Sequence, residues 1–176
     1  MHIHAIWVQK MKNETKSVIS VRDASPSELQ EMLALTLEAY DEYRPDCPDD
    51  FWVKYVRNIT EAVTEAPDIE RIVAICDGKM AGSVLLCKKS FMADEPEIRL
   101  LAVSPRFRQR GVAAELMAEC ERRLKARGHR TVVLHTTHLM DTARRMYERS
   151  GYVRLEALDF KPVPSFTVWG FSKILQ

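Results

Sequence analysis

The segment Glu97 to Ala114, EIRLLAVSPRFRQRGVAA, constrains the fold more than any other part of the chain. An apolar run reaches Ser104-Pro105, passes Arg106, Arg108, Arg110 and Gly111, and then enters a helical pattern. A strand must therefore deliver the backbone to a helix start through a short cationic loop. The first amides of a helix carry partial positive charge and have no acceptor within it, which makes such a junction an anion site. The three arginines add guanidinium donors, and Gly111 permits a ligand to approach the backbone closely. A phosphorylated cofactor is the expected ligand.

Two other phosphate loops are excluded. No GxxxxGK[ST] string occurs, and no GxGxxG follows a strand. The helix after the loop is clear: Val112, Leu116, Cys120 and Leu124 recur at every fourth position, with Ala113 and Met117 beside them, up to Gly128.

A chain of 176 residues with 46% hydrophobic and 29% charged residues has the balance of one globular domain. Its net charge of +1 gives no general attraction for nucleic acid, and no apolar stretch reaches membrane-spanning length. Cys47, Cys76, Cys87 and Cys120 are scattered without CxxC spacing. That pattern fits reduced thiols in the cytoplasm and neither a disulfide frame nor a metal site. The start, MHIHAIWVQKMKNETK, has too short an apolar run for a signal peptide. Residues 1–17 read as an N-terminal extension outside the core, the first ten of them preceding a second methionine, and residues 18–176 as a single domain.

Val18 to Arg22 reads as a strand, and Ser25-Pro26-Ser27-Glu28 as the start of a helix carrying Leu29, Met32, Leu33, Leu37 and Tyr40. Tyr43 to Asp50 is a loop, and Phe51 to Ala66 a second helix closed by Pro67. Ile69–Asp77 and Met80–Lys88 form a hairpin about Asp77-Gly78-Lys79, and Glu95 to Val103 is the next strand. Arg130–Thr136 is a strand, Asp141–Ser150 a helix capped by Gly151, and Tyr152–Leu155 and Phe166–Leu175 complete a β-rich tail. The order is β-α-α-β-β-β-α-β-α-β-β.

Arg108-Gln109-Arg110-Gly111-Val112-Ala113 resembles the [QR]-x-x-G-x-[GA] signature of the GNAT superfamily of acyl-CoA-dependent N-acyltransferases. Ala143 to Tyr152, with Tyr147 and Gly151, is similar to that family's A-x-x-x-Y-x-x-x-G-[FY] segment, and the element order agrees. The resemblance implies an α/β (α+β) fold, a mixed central sheet flanked by helices. It implies acetyl-CoA as co-substrate, with Arg108, Gln109, Arg110, Gly111, Val112 and Ala113 on the pyrophosphate. Leu101, Ala102 and Val103 would offer backbone groups to pantetheine beside a bulge that sequence does not reveal. Tyr147 would be the acid at the coenzyme sulfur and Glu97 the general base. One departure is the family's asparagine at the start of the penultimate helix: Asp141 follows Met140 here and reads as an N-cap.

Such a reaction needs a proton acceptor, because a primary amine with a pKa near 10.4 is mostly protonated at neutral pH. Strand alternation puts Glu97 with Arg99, Leu101 and Val103 on one face. Glu97 pairing merely with Arg99 or a neighbouring strand is the competing reading, and a water chain, Glu95 or a carboxylate of the first helix are rival bases. His135 and His138 are candidate substrate contacts. The acidic, aromatic stretch Glu38 to Asp50 falls where relatives form the acceptor wall and would suit a cationic amine, on a small molecule or a peptide; a solvated acidic loop is the competing reading. Phe166, Val168, Trp169 and Phe171 either finish the core or form a homodimer edge. Two other functions stay open: a CoA-binding regulatory module without turnover, and an α/β domain that binds peptides or is purely structural.

Overall fold

The computed structural model describes residues 18–176, so the expectation for the N-terminal extension lies outside the described residues. The elements are β1 (Ile19–Asp23), α1 (Leu29–Asp41), α2 (Asp49–Thr64), β2 (Ile69–Cys76), β3 (Lys79–Cys87), β4 (Glu97–Val103), α3 (Val112–Ala126), β5 (Thr131–Thr137), α4 (Asp141–Arg149), β6 (Val153–Arg154), β7 (Phe160–Val163) and β8 (Phe166–Ile174). One sheet runs β1-β2-β3-β4-β5-β8-β6, with β7 on β8, and β4 and β5 are its parallel pair. Helices cover both faces. Val112, Leu116, Cys120 and Leu124 of α3 pack with Ile72, Val84 and Leu134 on one side. Met32, Leu35, Ile59 and Val63 of α1 and α2 pack with Val73, Leu85 and Leu100 on the other.

Local chemistry explains the boundaries. Asp77 and Gly78 adopt φ of 52° and 74°, the left-handed pair that closes a two-residue hairpin. Before α1, a short 3-10 turn over Pro26–Glu28 is locked when the Glu28 carboxylate accepts from the Ser25 N–H at 2.8 Å and the Ser25 hydroxyl at 2.9 Å. Arg22 also donates to it at 2.7 and 2.8 Å. The Arg22 bonds, then those from Ser25, hold the Glu28 carboxyl down at about 2. A carboxyl depressed by folding stabilises above its ordinary pKa and loses that contribution as pH falls towards the folded value. Glu28→Gln is expected to cost about 1 kcal/mol at pH 7. The gap from wild type should close near pH 2; thermal melts across pH measure it, and a constant gap would refute the linkage.

The tail departs from expectation. A further strand, β7, lies at Phe160–Val163, beyond the elements expected; it pairs only along the β8 edge, Phe160 with Val168 and Val163 with Phe166, where the missing N–H of Pro162 is tolerated. The strand expected over Tyr152–Leu155 contracts to Val153–Arg154, because Tyr152 turns into the core and Leu155 leads into a 3-10 turn at Glu156–Leu158. Phe166, Val168 and Phe171 are buried within the chain, so they finish the core.

Candidate active site

The site begins with an irregularity in β4. Ser83 to Leu85 on β3 oppose Arg99 to Ala102 on β4, so β4 carries one extra residue, and Leu100 within it has φ of 49°. This bulge corrects the expected alternation. Ile98, Leu101 and Val103 pack toward α3, whereas Leu100 and Ala102 join the α1–α2 side and Arg99 donates to Asn58 of α2 at 2.8 Å. Glu97 and Arg99 therefore share a side with Leu100, not with Leu101 and Val103. The bulge also ends pairing with β5 after Glu97–Val133 and Ile98–Leu134. Beyond that point the two strands diverge, and the β5-facing edge of Leu101, Ala102 and Val103 has no strand partner among the described residues.

At the C-terminal end of β4 the chain passes Pro105–Phe107 and enters α3 through Gln109 and Gly111, both left-handed at φ of 62° and 88°. A Cβ added to Gly111 would meet nothing within 4 Å. Among the described residues, Glu115 is the first α3 residue whose N–H finds a backbone carbonyl, Gly111 O at 3.1 Å. The earlier amides point out of the helix end, as an anion cradle requires. Gly82 lets this end seat tightly, since a Cβ there would lie 2.7 Å from Ala102 O and 2.8 Å from Val112 Cγ1. The arginines differ from expectation. Arg108 forks onto Glu42 at 2.8 and 3.0 Å, and Arg110 reaches Asp77 at 3.2 Å and lies over the Phe107 ring. An incoming phosphate must compete with these exposed pairs, whereas the backbone amides and Arg106, which has no carboxylate partner among the described residues, are uncommitted donors.

Tyr147 of α4 is buried, with its ring edge-on to Tyr152 at 5.9 Å. Burial, followed by the nearby Tyr40 and Tyr43, pushes its phenol well above the usual range. Tyr40 donates to Leu101 O at 3.3 Å, which places a second phenol on the freed part of β4. Thr136 of β5 is 3% exposed and its Oγ1 has no hydrogen-bond partner among the described residues. Asp141 is the first residue of α4 rather than its cap; Met140 holds the cap position, and the Asp141 carboxylate pairs with Arg144 and Arg145.

On the α2 side of the divergence is a cavity of about 540 Å³, with Glu97 and His135 in its wall. Glu97 Oε1 lies 2.7 Å from His135 Nδ1, and His135 Nε2 donates to Leu158 O at 3.0 Å. The Glu97 and His135 side chains are 3% and 8% exposed. A carbonyl only accepts, so the Nε2 proton is fixed, and the Nδ1–Oε1 contact must hold a proton of its own. Glu97 thus pairs with His135 and not with Arg99. His138 stands outside, against Phe166 and Trp169, and neither Glu95 nor a carboxylate of α1 lines the cavity. The acidic-wall expectation is corrected too: from Glu38–Asp50 only Tyr40, Tyr43 and Cys47 line it. Sequence reasoning missed the aromatic wall, whose signal was Phe51, Trp52 and Tyr55 on successive turns of one helix.

A sheet parted between parallel strands, with unpaired helix-start amides at one end of the gap and a chamber beside it, has the shape to hold an extended anionic ligand. The acetyltransferase (GNAT) family matches residues 29–152, more than half of the chain. The chain belongs to this family and is an acetyltransferase. No curated protein matches it. Among solved structures it is similar to a GCN5-related N-acetyltransferase from Rhodopseudomonas palustris described as a class-II aminotransferase (17% identity, TM-score 0.71, covering 90% of this chain and 97% of that one). It is also similar to the PaiA N-acetyltransferase of Thermoplasma acidophilum in complex with coenzyme A (16%, 0.70, 89% and 99%). A GNAT-family acetyltransferase of Staphylococcus aureus Mu50 is a third (15%, 0.69, 90% and 100%). At these identities the structural likeness concerns the fold. Among the described residues no group of three or more His, Cys, Asp or Glu is placed to hold a metal ion, and no helix is long and apolar enough to cross a membrane.

Proposed function

We propose that the chain moves the acetyl group of acetyl-CoA to a primary amine by direct attack in a ternary complex. The observation that carries this reading is the parting of β4 from β5, which lies between the start of α3 and the chamber containing Glu97. The residues fit the co-substrate. The free β4 edge at Leu101–Val103 complements the amides of pantetheine, an N–H on this edge suits the thioester carbonyl, and the amides from Arg108 to Ala113 suit the diphosphate. Bound acetyl-CoA supplies an acetyl thioester, whose carbon–sulfur bond breaks as the carbon–nitrogen bond forms. Glu97 takes the proton of the attacking amine, and Tyr147 directs its hydroxyl to the departing sulfur.

Direct attack is supported by the state of the thiols. Burial pushes Cys47 and Cys87 up and Cys120 to about 12, so none is poised as an acyl-carrying nucleophile. That the four cysteines form no disulfide supports a reducing, cytoplasmic setting.

The test is release of free thiol from acetyl-CoA across a panel of amines, with the acetylated product weighed by mass spectrometry. Intersecting initial-rate plots are expected for a ternary complex; parallel plots would favour a covalent intermediate. Stabilisation by acetyl-CoA with no turnover would favour the inactive regulatory module, and no stabilisation would remove the co-substrate reading. Gly111→Val is expected to weaken acetyl-CoA about tenfold or more, since a β-branched residue resists positive φ and fills open space at the cradle. Calorimetric titration measures this, and an unchanged affinity would place the diphosphate elsewhere.

A further inference from the structure

The cavity wall and the charges around it narrow the acceptor, on the reading above that the chain acetylates an amine. Tyr43, Phe51, Trp52, Tyr55, Phe160 and Phe166 line the cavity, and their rings form flat surfaces: Phe51 stacks on Phe166 at 4.5 Å and on Tyr55 at 5.2 Å. A volume of about 540 Å³ is that of a small-molecule site.

The charges do not suit a polycation. Of the two lining carboxylates, Glu97 is committed to His135 and Glu61 lies 3.9 Å from Arg57. Lys54 and Arg99 also line the cavity, and neither pairs with a carboxylate among the described residues; Arg99 donates to Asn58 Oδ1. The excess positive charge repels polyamines and aminosugars and attracts an anion. Glu97 and Arg99 sit two residues apart on β4, so strand alternation puts both on the side of the cavity. A proton acceptor next to a guanidinium is the complement of an amine next to a carboxylate. That combination belongs to an α-amino acid, whereas a peptide N-terminus has no carboxylate beside its amine.

We infer that the acceptor is the α-amine of a free aromatic amino acid, with its ring between the aromatic walls, its amine toward Glu97 and its carboxylate on Arg99. The ammonium form loses two protons over the reaction. One ends on the coenzyme thiol and one in solvent as nitrogen replaces sulfur on the acetyl carbon, and nothing is oxidised or reduced.

The full-length protein is assayed with acetyl-CoA and phenylalanine, tyrosine or tryptophan, against phenylalanine amide, alanine and spermidine. The aromatic amino acids are expected to exceed each of the others in kcat/KM by about tenfold or more. Arg99→Gln is expected to reduce the preference for phenylalanine over its amide by about tenfold. Retained stabilisation of that variant by acetyl-CoA confirms that it folds. Turnover that favours alanine or spermidine, or an unchanged preference in Arg99→Gln, would overturn the inference while leaving the acetyltransfer reading intact. Acetyl-CoA binding without turnover of any amine would overturn both.

Discussion

Replacing Tyr147 with phenylalanine is expected to lower kcat about a hundredfold while leaving the acetyl-CoA KM nearly unchanged. The ring is 7% exposed and packed against Tyr152, so phenylalanine preserves its volume. The hydroxyl has no hydrogen-bond partner among the described residues, so its loss strands no other group. Burial and the neighbouring Tyr40 and Tyr43 raise the phenol's pKa, which keeps it protonated through neutral and mildly alkaline pH. An ordinary thiol titrates near 8.5. Complete proton transfer from such a phenol to a thiolate is uphill, so the expected contribution is a hydrogen bond that strengthens as charge grows on sulfur. It follows that ionisation of Tyr147 should cause no loss of wild-type activity below about pH 10. Profiles of kcat against pH for both proteins provide the check. Equal kcat at every pH would end the assignment.

What the sequence revealed and what it concealed divide along a physical line. The Asp77-Gly78 turn, the Ser25–Glu28 helix entry, the loop before α3 and the placement of Tyr147 on α4 are local, and the residues that determine them lie within a few positions. The bulge is different. Leu100 is a leucine in a left-handed conformation, with no glycine to announce it, and it is set by how β3 pairs across the sheet. Reading β4 by strict alternation consequently put Leu101 and Val103 on the side of Glu97. Long-range pairing also hid the partner of Glu97, since His135 is 38 positions away. The same holds for the carboxylates that occupy Arg108 and Arg110, and for the cavity wall assembled from α2, β7 and β8. Charge in the Glu38–Asp50 stretch misled because composition does not show which side of a helix end faces inward. There the tyrosines face the cavity, and Glu42 faces Arg108.

Glu97→Gln separates catalytic proton transfer from the buried scaffold, and is expected to reduce kcat/KM by about a hundredfold or more with little change in melting temperature. The Leu158 carbonyl fixes a proton on His135 Nε2. When the imidazole is neutral, Nδ1 is then an acceptor, and the glutamine amide can donate to it in place of the native contact. Both hydrogen bonds of the histidine survive, but the carboxylate that takes the amine proton is gone. His135→Ala should behave in the opposite manner toward stability. It leaves a carboxylate side chain only 3% exposed without its partner, a loss of about 3 kcal/mol by comparison with broken buried pairs. Chemical denaturation of the two variants beside their pH–rate profiles distinguishes these effects. If Glu97→Gln retained the wild-type rate and profile, amine deprotonation would fall to solvent, and Glu97–His135 would be a structural pair that happens to line the acceptor cavity.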